Sequence, residues 1–407
     1  MLTVVIPALN EEQSIESICR RVQAVAPEIR QHCGHDLEII VVDDGSTDRT
    51  AKLASAIDGI EVLSFSHNKG YGAALMAGFE KGRGELVSFL DADGTCDPKF
   101  FVPLIKAIEE GGASVALGNR LGESSEMPKL RRIGNLFFAA LIRRLSGASV
   151  QDSASGMRVI RRDALQMLAP LPTGLHFTPA MSCRAALDPR LTLAEVPMTY
   201  AEREGESKLG VVRDGLRFLR IILQIAVQYR PLLLFGLVGA LQLLAAFLYA
   251  LSPLSLWFRN HSLPDDSVYR VLSILVFAVG GFGFLYAGAV LDEAQRIVHP
   301  LRQGSLFSRF IRLLLFAHPF WIALGLFLVA VMTNIQALWQ YVSTGSIQAH
   351  WSTIAFGALL SVTALQLAAF GLVQHVLRLL AERARASGLD IEATSSSQSP
   401  AASEQAH

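Results

Sequence analysis

The chain has 407 residues, with 36 basic and 36 acidic side chains and a formal net charge of zero. It is 51% hydrophobic and only 18% charged, where an ordinary soluble domain is about 25% charged. Balanced charge excludes the broad basic surface of a nucleic-acid-binding protein, and the length suits two or three domains. The apolar excess is uneven: residues 1–210 read as soluble, and residues 231–377 carry long uncharged runs.

"LTVVIPALNEE" opens with an apolar, β-rich run. "NEEQSIESICRRVQAV" follows with helical spacing at Ile15, Ile18 and Val22. "LEIIVVDDGSTDRTAKLASAI" predicts a buried strand, an acidic turn and a helix. "IEVLSF" predicts a strand and "GYGAALMAGFEKG" a helix. "ELVSFLDADG" predicts a strand, "PKFFVPLIKAIEEG" a helix after Pro98, and "SVALGNR" one more strand. Alternating apolar strands and helices predict a mostly parallel sheet with helices on both faces.

Ligands of such sheets bind at the carboxyl ends of the strands. Asn10, Glu11 and Glu12 follow the first strand, Asp43 and Asp44 the second, and Asp91 and Asp93 the fourth, with Asp97 close behind. Carboxylates gathered in one crevice repel and raise each other's pKa unless a cation or hydrogen-bond donors offset them. Oxygen donors of this kind suit Mg²⁺ or Mn²⁺, so Asp91 and Asp93 are the metal candidates. "GYGAAL" lacks the third glycine of a dinucleotide fingerprint, and no G-x-x-x-x-G-K-[ST] loop occurs. Cys19, Cys33, Cys96 and Cys183 form no C-x-x-C pair and read as reduced thiols. No signal peptide is expected.

"LGVVRDGLRFLRIILQIAVQYRP" places Arg213, Arg217 and Arg220 on one helical face with apolar residues on the others. This pattern reads as a helix lying in the membrane interface, its basic face toward anionic headgroups; the lesser alternative is a helix packed on its own domain. Four runs free of Asp, Glu, Lys and Arg then follow, at about 231–251, 271–291, 313–333 and 353–376. Each is long enough to span a hydrocarbon core of about 30 Å. The pair His318–Pro319 reads as a kink within the third. The loop at 292–312 carries Arg296, Arg302, Arg309 and Arg312, and the tail begins with Arg378, Arg383 and Arg385. Positive loops stay in the cytoplasm, so the soluble domain and both termini are expected there, in an integral, multi-pass inner or plasma membrane protein. The polar tail is expected to be disordered.

Taken together, "VVIPALNEE", "VVDDGSTD", "NKGYGAALMAGFEKGRGELVSFLDADG", "LGNR", "DSASGMRVIRRDAL" and "AEREGESKL" resemble the family 2 glycosyltransferases of GT-A fold. Within these they resemble the dolichol-phosphate mannose/glucose synthase and polyprenyl-phosphate glycosyltransferase branch, over about residues 1–230. The resemblance implies a GT-A domain at 1–209, an interfacial helix at 210–230, a four-span membrane domain at 231–377 and a tail at 378–407. It implies inverting, metal-dependent sugar transfer from a UDP- or GDP-linked donor to undecaprenyl or dolichyl phosphate. A homo-oligomer is compatible with it.

The resemblance also assigns roles. Pro7, Asn10 and Glu11 lie beside the nucleotide, and Asp44 contacts base or ribose. Asp91 and Asp93 hold the metal on the diphosphate, with Asp93 the more direct ligand. Arg120 and either Arg131 or Arg132 face the lipid phosphate. Asp152 lies near the acceptor, as a base or as a group that positions the acceptor or screens its arginines. Arg203 and Lys208 meet the diphosphate. Thr95 stands where relatives often carry a glutamine. His176 is read either as lining the acceptor mouth or as an ordinary loop histidine. Arg143, Arg144, Arg161 and Arg162 read as structural. A processive polysaccharide synthase would carry Q-x-x-R-W, which is absent. An inactive scaffold would not keep the D-x-D and arginine motifs, and charge-free spans give little sign of a transporter.

Overall fold

Apolar runs become strands where alternate residues can be buried on opposite faces, and the first 200 residues do this repeatedly. A computed structural model describes residues 1–122, 125, 127–201, 210–260, 263–298 and 318–386. The elements of the first half run β1 (Leu2–Ala8), α1 (Ile15–Ala24), α2 (Ala26–Cys33), β2 (Leu37–Asp43), α3 (Thr50–Ser55) and β3 (Ile60–Ser64). They continue α4 (Tyr71–Lys81), β4 (Leu86–Leu90), α5 (Phe101–Glu109), β5 (Val115–Asn119), α6 (Lys129–Ser146), β6 (Met157–Arg161), α7 (Arg162–Met167), α8 (Phe177–Leu187), β7 (Leu193–Pro197) and α9 (Val211–Tyr229). The chain divides into two compact units, Met1–Val227 and Gln228–His407.

The seven strands form one sheet in the order β3-β2-β1-β4-β6-β5-β7. Only β6 runs antiparallel, to β4 and β5, so the mostly parallel sheet expected is present. Alternate strand residues feed two cores. Val4, Ile6, Val41 and Leu90 pack with Ile15, Ile18 and Val22 of α1 and with Leu104 and Ile108 of α5. Val5, Val42, Val87 and Phe89 pack on the other face with Leu75 and Phe79 of α4 and with Phe177 and Met181 of α8. Each such fully buried side chain stabilises the fold by about 1.5–3 kcal/mol before entropy is counted.

This topology decides what gathers at the carboxyl edge. β1, β2 and β4 are parallel, so Asp43, Asp44, Asp91 and Asp93 leave the sheet on one side. β6 enters from that same side because it is antiparallel, which brings the preceding loop, residues 152–156, beside them. β5 and β7 end there too, with Arg120 and Tyr200 just beyond. Neither β6 nor β7 was read as a strand in the sequence.

α9 buries Phe218, Ile222, Ile225 and Ala226, while Leu216, Leu223 and Val227 stay exposed beside Arg213, Arg217 and Arg220. It packs on its own domain: Phe218 meets Phe138 of α6 edge-on at 5.8 Å. The apolar residues therefore divide between two faces of this helix.

Among the described residues, the second unit contains four helices long and apolar enough to cross a membrane: Pro231–Arg259, Asp265–Ile297, Pro319–Thr344 and Trp351–Arg383. Gly239 and Gly281 let the first two approach closely. A Cβ on Gly239 would lie 2.7 Å from the Gly281 carbonyl oxygen, the small-residue contact common between membrane helices. The residues on the far side of the expected His318–Pro319 kink, up to 317, lie outside the described residues. His318 is non-helical and Pro319 opens the third helix, where its missing N–H costs nothing. Residues 313–317 of the third expected span and all of the tail from 387 lie outside the described residues.

Candidate active site

A cavity of about 530 Å³ opens at the carboxyl edge of the sheet. Its acidic lining residues, the acidic wall, are Glu11, Asp44, Asp91 and Asp93, with Pro7 also in the lining. Its basic lining residues, the basic wall, are Arg120, Arg131 and Arg217, with Asn135 and Tyr200 also in the lining.

On the acidic wall, Asp44 is buried and accepts from the backbone N–H of Lys69 at 2.7 Å and of Gly70 at 3.0 Å. Asp91 Oδ1 accepts from the Tyr71 hydroxyl at 2.7 Å. Burial and the Asp91 charge hold that phenol well above its ordinary pKa, which keeps it a donor. Asp93 Oδ1 accepts from the Thr95 hydroxyl at 2.7 Å. Glu11 lines the cavity near Pro7, and its carboxylate also accepts from Ser14 Oγ.

Two polar residues of this edge serve the backbone instead. Asn10 takes a positive φ of 51° and its Oδ1 accepts from Thr47 N–H, so it ties the β1 loop to the β2 loop and does not line the cavity. Asp97 caps the turn before α5, accepting from Lys99 N–H at 3.1 Å.

The basic wall is organised by a buried ion pair. Asp152 is 0% exposed and Arg120 8% exposed. Arg120 Nε donates to Asp152 Oδ2 at 2.7 Å and Nη2 to Oδ1 at 2.9 Å, and the Arg120 backbone N–H adds a third bond at 3.1 Å. Asn135 Nδ2 donates to Oδ1 at 2.7 Å. Burial alone would raise the Asp152 pKa, but the Arg120 charge and these hydrogen bonds outweigh it and hold the carboxyl below the usual range. The carboxylate thereby fixes the plane of the Arg120 guanidinium. From β7, Glu195 Oε1 accepts from the N–H groups of Gln151 and Asp152 and anchors the loop. Burial, opposed by those two bonds and reinforced by the Asp152 charge, raises the Glu195 pKa.

Arg131 lines the cavity, whereas Arg132 Nη2 donates to the Leu121 carbonyl at 3.0 Å and is not among the lining residues. Arg217 reaches the cavity from α9 with Nη1 bonded to Asp214 at 3.0 Å. Gly174 and Leu175 line the cavity mouth, and the adjacent His176 does not; burial lowers its pKa. Beneath the floor, Arg158 is wholly buried in β6 and donates to the carbonyls of Ser153 and Ser155. Burial lowers its pKa to about 10. Arg203 and Lys208 lie outside the described residues.

Sequence reasoning missed Tyr71, Asn135, Arg158, Glu195 and Tyr200. The tyrosine stands in "GYGAALMAGFEKG", read as a helix and weighed for its glycines as a nucleotide fingerprint. No group of three or more His, Cys, Asp or Glu forms a metal cage among the described residues. Two hard carboxylates lining one cavity do fit Mg²⁺ or Mn²⁺, which take one or two carboxylates and complete their shell with phosphate and water.

The family description for glycosyl transferase family 2 matches residues 3–168. The low-salt glycan biosynthesis hexosyltransferase Agl6 of Haloferax volcanii is 38% identical over 232 residues, which is 56% of this chain and 54% of that protein. The chain thus spans about half the length of that relative. The undecaprenyl-phosphate 4-deoxy-4-formamido-L-arabinose transferase of Pseudomonas aeruginosa is 32% identical over 313 residues, 75% of this chain and 88% of that protein. Among solved structures, glucosyl-3-phosphoglycerate synthase from Mycobacterium tuberculosis is 24% identical over 55% of this chain and 79% of that one, with a TM-score of 0.44, a likeness too distant to bear on function. With the strand-end acids on a mostly parallel sheet and a relative matched along most of its length, the chain belongs to glycosyltransferase family 2.

Proposed function

We propose that this enzyme transfers a sugar from a UDP- or GDP-linked donor to the phosphate of a membrane polyprenol, undecaprenyl or dolichyl, at the cytoplasmic leaflet. One observation carries the reading: a single cavity is lined both by the D-x-D carboxylates and by Arg120 and Arg131. The name of the Pseudomonas relative supports a polyprenyl-phosphate acceptor.

Asp91 and Asp93 would hold Mg²⁺ or Mn²⁺, which when bound offsets charge developing on the departing nucleoside diphosphate. Pro7, Glu11 and Asp44 bind the nucleotide end, with Asn10 holding their loop. By resemblance, Arg203 and Lys208 meet the diphosphate. Arg120 and Arg131 grip the acceptor phosphate, whose geometry matches the guanidinium fork. An acceptor oxygen bonds to the anomeric carbon as the bond to the diphosphate breaks, with inversion. That oxygen is already anionic near neutral pH, so a base is unnecessary. The paired, low-pKa Asp152 then serves to hold Arg120.

The membrane arrangement follows the division into 1–209, 210–230, 231–377 and 378–407. The exposed Leu216, Leu223 and Val227 among arginines support an interfacial position for α9. The arginines at 292–312 and from 378 support cytoplasmic termini.

The test is purified protein with undecaprenyl phosphate, Mg²⁺ or Mn²⁺, and a panel of labelled UDP- and GDP-sugars. One donor is expected to label the lipid, and Asp93→Ala to abolish the label. Full turnover by that variant would overturn the metal assignment, and hydrolysis of donors with no labelled lipid would overturn the acceptor.

A further inference from the structure

The two acids of the D-x-D pair are held in the same way. Tyr71 donates to Asp91 Oδ1 at 2.7 Å, and Thr95 donates to Asp93 Oδ1 at 2.7 Å. The Thr95 backbone N–H reaches that second oxygen as well, at 3.2 Å. Both hydroxyls are anchored. Tyr71 opens α4, with its ring edge-on to Phe177 at 6.5 Å between centroids. Thr95 is buried, and its carbonyl accepts from Ala201 N–H at 3.0 Å.

The other side of Asp91 is bounded by backbone. A Cβ added at Gly156 would lie 1.9 Å from Asp91 Oδ2, far inside van der Waals contact. Only glycine leaves room for the carboxylate there, so Tyr71 and the Gly156 backbone bracket Asp91 from opposite sides. A carboxylate orients a cation only as well as its own torsion is fixed, and groups that bond to ligands from behind commonly set metal affinity.

We propose that Tyr71 and Thr95 are positioning residues for the divalent cation, each fixing the plane of one D-x-D carboxylate before metal or donor arrives. The inference rests on the metal reading of Asp91 and Asp93 given above. Tyr71→Phe keeps the ring and Thr95→Val keeps the volume while each deletes one donor.

The test is Mn²⁺ binding to the full-length protein in detergent, followed by electron paramagnetic resonance, alone and with UDP or GDP. Each variant is expected to raise the Mn²⁺ Kd by about tenfold or more, at the lower end for a ligand-supporting group. Thr95→Ser is expected to restore affinity, and Gly156→Ala to abolish it. Thr95→Ala serves if the valine variant does not fold. A merely structural role would lower the melting temperature and leave Kd in place. A Kd within about twofold of the parent overturns the inference for that hydroxyl, while loss of Mn²⁺ in Asp93→Ala keeps the metal reading standing. Mn²⁺ binding that survives Asp93→Ala, or a parent that binds none under any condition, overturns the metal reading and this inference together.

Discussion

The acidic and basic walls of the cavity hold their charges by different means. Asp44, Asp91 and Asp93 accept from backbone N–H groups and hydroxyls, neutral donors that direct a carboxylate. Arg120 and Arg217 are oriented by Asp152 and Asp214, counter-ions that fix geometry and neutralise at once. Neutral donors thus hold carboxylates of the acidic wall in place, while counter-ions hold two arginines of the basic wall. Removing a group should cost function on the first wall and stability on the second.

The sharpest break comes at Asp93. Asp93→Ala should reduce turnover by about 1,000-fold or more, as expected when electrostatic stabilisation of the leaving group is lost. Its melting temperature should stay near that of the parent. Asp152→Ala should give the reverse signature. It strands the buried Arg120 charge, at about 3–5 kcal/mol, and a thermal melt in detergent should show the loss directly. Asn135→Ala removes one neutral donor to the same carboxylate and should destabilise by about 1–3 kcal/mol. Equal stability losses for Asp93→Ala and Asp152→Ala would erase the contrast between the walls.

The smallest effect is a matter of pH. The folded-state pKa of Asp152 is depressed, so its contribution is complete above the unfolded aspartate value of about 3.9 and fades as pH falls through the folded value. Glu195 has the opposite sign. Its raised pKa means that its stabilising contribution is present below the unfolded glutamate value of about 4.3 and lost as pH rises through the folded value. The parent should therefore gain stability relative to Glu195→Gln as pH falls through the folded value toward the unfolded glutamate value of about 4.3. Melting curves that keep a constant gap would contradict this.

The acidic wall was legible in the sequence because its residues follow apolar runs that are strands and nothing else. The basic wall was only half legible. Arg120 stood at the end of a readable strand, but its partners do not. β6 carries Arg158, a charge inside a strand that breaks the apolar pattern although it is fully buried. Asn135 lies on an amphipathic helix, where a polar residue ordinarily faces solvent. The choice between Arg131 and Arg132 needed the helix rotation, which adjacent positions in a sequence cannot give. The four long helices were evident from uncharged length alone, yet hydropathy does not mark where a helix begins, as Pro319 at the start of the third described helix shows. α9 was read as one of two alternatives, and its buried and exposed faces satisfy the premises of both.

The account stands on the acidic wall serving the donor and the basic wall serving the acceptor phosphate. Arg131 tests this most directly, because it lines the cavity and takes no part in the Arg120–Asp152 pair. Steady-state kinetics of Arg131→Ala, varying each substrate in turn, should raise the KM for polyprenyl phosphate by about tenfold or more, the scale of a lost charge-assisted bond, while the KM for the nucleotide sugar stays near that of the parent. A raised donor KM with an unchanged acceptor KM would contradict it.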